Sequence, residues 1–61
     1  MWKVEIEFTS GKKDILRTVV DIKVCDAENK IEFITEHDDG TTSGEDYVCT
    51  DVKSFTVTQE E

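Results

Sequence analysis

The chain predicts an all-β fold, on three observations. Residues 2–9 alternate, with Trp2, Val4, Ile6 and Phe8 on one side and Lys3, Glu5, Glu7 and Thr9 on the other, the period of a half-buried strand. Residues 18–24 hold Thr18, Val19, Val20, Ile22 and Val24, β-branched side chains that lose freedom in a helix and suit a pleated surface. Turn chemistry follows each segment, at Ser10-Gly11 and at Asp26 to Asn29. The competing architecture is β-β-α-β. Ile15, Val19 and Ile22 also share one helical face, and Asp26 is placed to cap a helix near residues 26–37 that holds Ala27, Ile31 and Ile34. The β-branched run favours the all-β form.

Taken in order, strand one pairs with a second strand running from about Asp14 to Cys25, across a turn at Ser10-Gly11-Lys12-Lys13. Setting Phe8 against Leu16 puts Ile6 beside Thr18, Val4 beside Val20 and Trp2 beside Ile22, so that inward residues meet inward residues. The outward row then sets Glu7 against Arg17 and Lys3 against Asp21. Such ion pairs contribute only about 0.2–1 kcal/mol each, so they check a register rather than impose it. For the second hairpin, Val24 against Ile31 and Ile22 against Phe33 brings Lys23 opposite Glu32. It leaves Asp26-Ala27-Glu28-Asn29 as the loop, with Asn29 in the left-handed conformation that Asn tolerates. His37 to Asp46 is a polar run with two glycines and reads as an exposed loop. A fourth strand over Tyr47–Thr50, a helical turn over Asp51–Ser54 and a fifth strand over Phe55–Thr58 complete the chain.

Strand two is longer than the roughly 5–6 residues usual for a strand, and it is expected to bend and serve two halves of a barrel. Five antiparallel strands with a short turn before the last resemble an SH3-like barrel. That resemblance is one of topology, spans nearly the whole chain and carries no functional residue across.

Sixty-one residues make a single domain, residues 1–61, with a thin core. Support from a disulfide, a metal or a partner is therefore worth testing against the residues present. Cys25 and Cys49 are the two cysteines, and a bridge between strands two and four would have to cross the barrel. No signal peptide precedes Trp2, so a reducing, cytoplasmic compartment is expected, with both cysteines as free, buried small hydrophobes. A structural zinc site needs four ligands, whereas the chain has one histidine, His37, and no C-x-x-C spacing. Asp38-Asp39-Gly40 lacks the alternating oxygen ligands and closing Glu of a calcium loop. No metal or cofactor is expected. His37 has no nucleophile beside it and the chain has no phosphate-cradling glycine loop, so catalysis is not expected either.

Seven basic and fifteen acidic residues leave a net charge of −8. This repels a phosphate backbone at the range where binding begins, and neither direct nucleic-acid binding nor membrane association is expected. A partner protein with a basic surface, including one built to hold DNA or RNA, is the expected complement. In the register above, Val19 and Ile34 lie diagonally adjacent on the outward face, with Glu5 and Glu36 flanking Val19 and Asp21 facing Ile34. An apolar centre with an acidic rim is how an interface is built, and these five residues form the expected partner-binding face. The alternative is that Val19 and Ile34 turn inward where strand two bends. Short, acidic, all-β and without catalytic motifs, the chain resembles in character the small phage-encoded accessory proteins that block host defence or nucleic-acid enzymes, the anti-CRISPR proteins among them. The resemblance implies a non-enzymatic inhibitor or adaptor that works by binding. A homo-oligomer that sequesters a small ligand and a structural subunit of a larger assembly are the other two readings.

Overall fold

A computed structural model describes residues 1–60. Five strands, β1 (Trp2–Phe8), β2 (Lys13–Cys25), β3 (Lys30–Glu36), β4 (Thr42–Val48) and β5 (Val52–Gln59), form one antiparallel sheet in the order β4-β3-β2-β1-β5. The all-β architecture is the one expected. The helix considered near residues 26–37 does not form. Only Asp26–Glu28 turn helically, as a single 3-10 turn, and β3 takes the rest. A second 3-10 turn, Cys49–Asp51, precedes β5, two residues earlier than the helical turn read from the sequence. The sheet does not close into a barrel: no ladder joins β4 to β5 among the described residues.

The second hairpin keeps its expected register, with Ile22 opposite Phe33, Lys23 opposite Glu32 and Val24 opposite Ile31. Asn29 stands in the left-handed region at φ 55°, and its N–H donates to the Asp26 carbonyl. The first hairpin differs. Val4 lies opposite Leu16 rather than Val20, a slip of 20 − 16 = 4 residues, and Glu7 lies opposite Lys13 rather than Arg17. The turn decides this. Gly11, at φ 90°, lets its N–H reach the Phe8 carbonyl while Phe8 N–H reaches the Lys12 carbonyl, so the ladder continues right up to a tight turn. The wider loop of the expected register would leave those groups unpaired, at a cost that exposed ion pairs of a few tenths of a kcal/mol cannot offset. The charges find other partners: Arg17 meets Glu60 at 3.2 Å, Lys3 meets Glu5 at 3.4 Å along its own strand, and Glu7 meets Lys53 at 3.9 Å.

Between its two halves β2 carries one extra residue against each neighbour. Trp2 is opposite Val19 but Val4 is opposite Leu16, and Val19 is opposite Thr35 but Asp21 is opposite Ile34. These two bulges bend the strand and rotate its side chains. Thr18 takes up the first at φ 56°, a conformation that costs a β-branched residue roughly 1–2 kcal/mol. The Glu60 carboxylate holds it there, accepting the Thr18 N–H at 2.8 Å and the Arg17 guanidinium at 3.2 Å, while Glu60 N–H donates to the Met1 carbonyl.

The bend folds one half of the sheet over the other and makes the core. Val4, Ile6, Val19, Ile31 and Phe33 are buried, each contributing about 1.5–3 kcal/mol of apolar burial. Phe33 is at the centre, edge-on to Phe55 at 5.5 Å and to Tyr47 at 5.9 Å. β4 starts five residues before the expected Tyr47, at Thr42. Its ladder satisfies the free side of β3, and Gly44 permits this because the Glu32 carboxyl lies where a Cβ would stand. The polar connection shrinks to His37–Thr41, where the Asp39 carboxylate accepts both the N–H and the hydroxyl of Thr41. Cys49 is half-buried against the core, but Cys25 is exposed at the end of β2, contrary to the expectation that both are buried; both are free.

Two outcomes test the bend. Thr18→Gly removes the Cβ strain and is expected to raise the denaturation midpoint, by about 1 kcal/mol in stability; a lowered midpoint would show that Thr18 is not strained. Glu60, held below its ordinary value of 4.5 first by the Thr18 N–H and then by Arg17, stabilises the fold fully above that value. The contribution is lost as the pH falls through the lower folded-state value. Glu60→Gln is expected to flatten the stability profile between pH 4.5 and the acid limb. An unchanged acid limb would remove the clamp.

Candidate functional site

The five residues expected to share one face are separated by the bend. Val19 is fully buried, opposite Trp2 and Thr35, because the extra residues at Thr18 and Val20 reverse its facing. It is core, and an interface centred on it is overturned. Ile34 remains on the outer face opposite Asp21 and Gly44, half-buried, with Glu36 two residues on and opposite Thr42. Asp21 is exposed and its carboxylate accepts the Ile22 N–H at 2.8 Å. Glu5 lies on the other half of the sheet, opposite Ile15 and Thr56. Asp21, Ile34 and Glu36 thus stay together, while Val19 and Glu5 leave.

The bend assembles a different group at the mouth of the folded sheet. Glu45 and Tyr47 sit opposite Phe33 and Ile31, which places them on the inward row of β4. Asp14 sits opposite Ile6 and so belongs to the inward row of β2. Neither acid is buried, because both stand where the sheet remains open. There they flank Tyr47, whose ring packs on Phe8 at 5.6 Å and 45° and on Phe33. Beside Phe8 and Asp14 a hollow of about 280 Å³ opens, walled on its far side by Lys12 and Lys13.

Burial first, then the nearby charges of Asp14 and Glu45, raise the Tyr47 hydroxyl above its ordinary value of 10.0. Two carboxylates beside a half-buried aromatic pair are the combination that accepts an ammonium or guanidinium group, with Lys12 and Lys13 standing next to Asp14 as opposing charges. His37 is far along the chain in its turn, its Nε2 at 2.9 Å from the Ser43 hydroxyl, which is held in turn by Thr35. No group of three or more His, Cys, Asp or Glu side chains is arranged to hold a metal among the described residues, and no helix is long and apolar enough to cross a membrane.

Sequence reasoning passed over this corner because it joins a residue of β2 to two of β4, strands that are not neighbours in the sheet. The available signal was slight: a tyrosine directly after Glu45-Asp46 in a strand otherwise read as apolar. Fold and site together define a small antiparallel β module with an exposed acidic and aromatic corner. Comparison with protein families, with curated proteins and with solved structures finds no match for the chain.

Tyr47 is the single tyrosine, so its ionisation can be followed directly by phenolate absorbance. The midpoint is expected above 10.0, and Asp14→Asn combined with Glu45→Gln is expected to lower it. A midpoint indifferent to both substitutions would mean that the carboxylates do not reach the ring.

Proposed function

We propose that the protein is a non-enzymatic binding module, an inhibitor or adaptor that receives a basic segment of a partner protein at the corner of Phe8, Asp14, Glu45 and Tyr47. The observation that carries this reading is the placement of Asp14, Glu45 and Tyr47 on inward rows at the open mouth of the sheet, with the Tyr47 ring packed on Phe8 at 5.6 Å. An Arg or Lys laid over Tyr47 gains roughly 0.5–2 kcal/mol from the ring, depending on desolvation, and charge-assisted hydrogen bonds from the acids. The net charge of −8 adds long-range attraction, which steers a basic partner into contact and repels nucleic acid. A surface built to hold a phosphate backbone is the natural complement. Occupying such a surface is what an acidic inhibitor of a nucleic-acid-handling protein would do, in line with the phage-encoded proteins that the chain resembles in character.

The test is a heteronuclear titration with a short Arg- and Lys-rich peptide, against an uncharged peptide of the same length. Shifts are expected at Phe8, Asp14, Glu45 and Tyr47, and Asp14→Asn with Glu45→Gln is expected to weaken binding about tenfold, a loss of about 1.4 kcal/mol. Asp21→Asn with Glu36→Gln serves as the control of equal charge on the Ile34 face. If that control weakens binding and the first pair does not, the Ile34 face is the working surface and this corner is not.

A further inference from the structure

β5 is an edge strand whose inner side pairs with β1 and whose other side makes no backbone hydrogen bond among the described residues. An exposed row of unpaired N–H and C=O groups is a template for another strand, and proteins usually blunt it with charge, Gly, Pro or a bulge. β4, the opposite edge, is blunted in this way by Gly44, Glu45 and Asp46. β5 is blunted only at its start, where Lys53 is the extra residue of a register shift against Glu7 and Phe8. From Ser54 to Gln59 it carries no charge and no register shift, whereas each of the other four strands carries two acids.

Apolar side chains are also exposed along this edge. Phe55 and Val57 keep 39% and 38% of their surface, and Val24, across the mouth from β5, keeps 60%. Between them runs an open groove lined by Val24, Ile31, Cys49, Val52 and Phe55. In a chain of net charge −8, two copies repel over most of their surface; β5 is the one strand along which they meet without opposing acids.

We propose that β5 is the interface for a second copy of this chain, the two β5 strands pairing antiparallel across a two-fold axis. Such a contact is self-complementary and closed. Centred on Thr56, it places Phe55 opposite Val57 of the second copy, Ser54 opposite its Thr58 and Lys53 opposite its Gln59, and no like charges face each other at any of these positions. It continues each sheet into the other and covers both grooves. The surface adjoins the acidic corner where Phe8 pairs with Val52 but shares none of its acids, so the two readings are tested by different variants.

The experiment is light scattering of the full chain across a range of concentration and salt. A mass approaching twice that of one chain is expected, with association strengthened by salt because screening relieves the repulsion between acidic copies. Thr56→Lys is the deciding variant. Thr56 lies on the outer row opposite Glu5, so lysine suits the folded monomer, yet across the axis it sets two lysines side by side. The variant is expected to run as a monomer at concentrations where the native chain is dimeric, with its β spectrum unchanged. Amide exchange at residues 52–59 should slow with concentration in the native chain alone. A native chain that stays monomeric at millimolar concentration in high salt overturns the proposal, including the case where it then binds a foreign strand at β5. So does a dimer that survives Thr56→Lys.

Discussion

Everything in this molecule depends on the bend in β2. Two extra residues within four positions turn one long strand into two half-strands that serve opposite layers, and the fold has no other means of bringing inward side chains face to face. The bend is held at considerable local expense, with a β-branched residue in the left-handed region, and the last described residue holds it there. Glu60 satisfies the Thr18 N–H that the bulge releases from the ladder and neutralises the neighbouring Arg17. Glu60 thereby joins the segment that follows β5 to the middle of β2, and through the Met1 carbonyl to the start of β1.

From that bend the core and the surface both follow. Phe33 reaches Phe55 and Tyr47 only because β3 is folded over β1 and β5, and Val19 enters the core only because the bulges reverse it. Phe8 meets Tyr47 for the same reason. With five buried hydrophobic side chains, the domain has little surplus stability, since large burial terms oppose large entropy terms in any small chain. Several apolar side chains stay partly wet, Val24 at the open mouth and Phe55 and Val57 on β5 among them.

Charge divides that surface into two kinds. At the corner of Asp14, Glu45 and Tyr47 two carboxylates stand beside a flat aromatic face, a pairing that suits a cation. Along β5 the acids are missing and the backbone is unpaired, which suits another strand. With fifteen acidic residues in the chain, like charges oppose the approach of a second copy where the acids gather and leave it unopposed where they are absent.

β1, β2, β3 and the second hairpin were legible in the residues themselves, because they rest on local rules, whereas most of β4 read as a polar loop. Alternation in residues 2–9 assigns β1, and the apolar pairing of Ile22 with Phe33 and Val24 with Ile31 fits one four-residue loop that Asn29 can close. The first hairpin was legible only as a hairpin. Its register came from the backbone hydrogen bonds of a tight turn at Gly11, whereas sequence reading weighed side-chain charges that are worth less than those bonds. The facing of Val19 was decided by tertiary structure, since a bulge leaves no mark in hydrophobic periodicity beyond the length of its strand, and Val19 is as apolar on an interface as in a core. The acidic corner was decided there too. Asp14 and Tyr47 are thirty-three positions apart on strands that do not pair, and only the folding of the sheet about β2 brings the carboxylate to the ring.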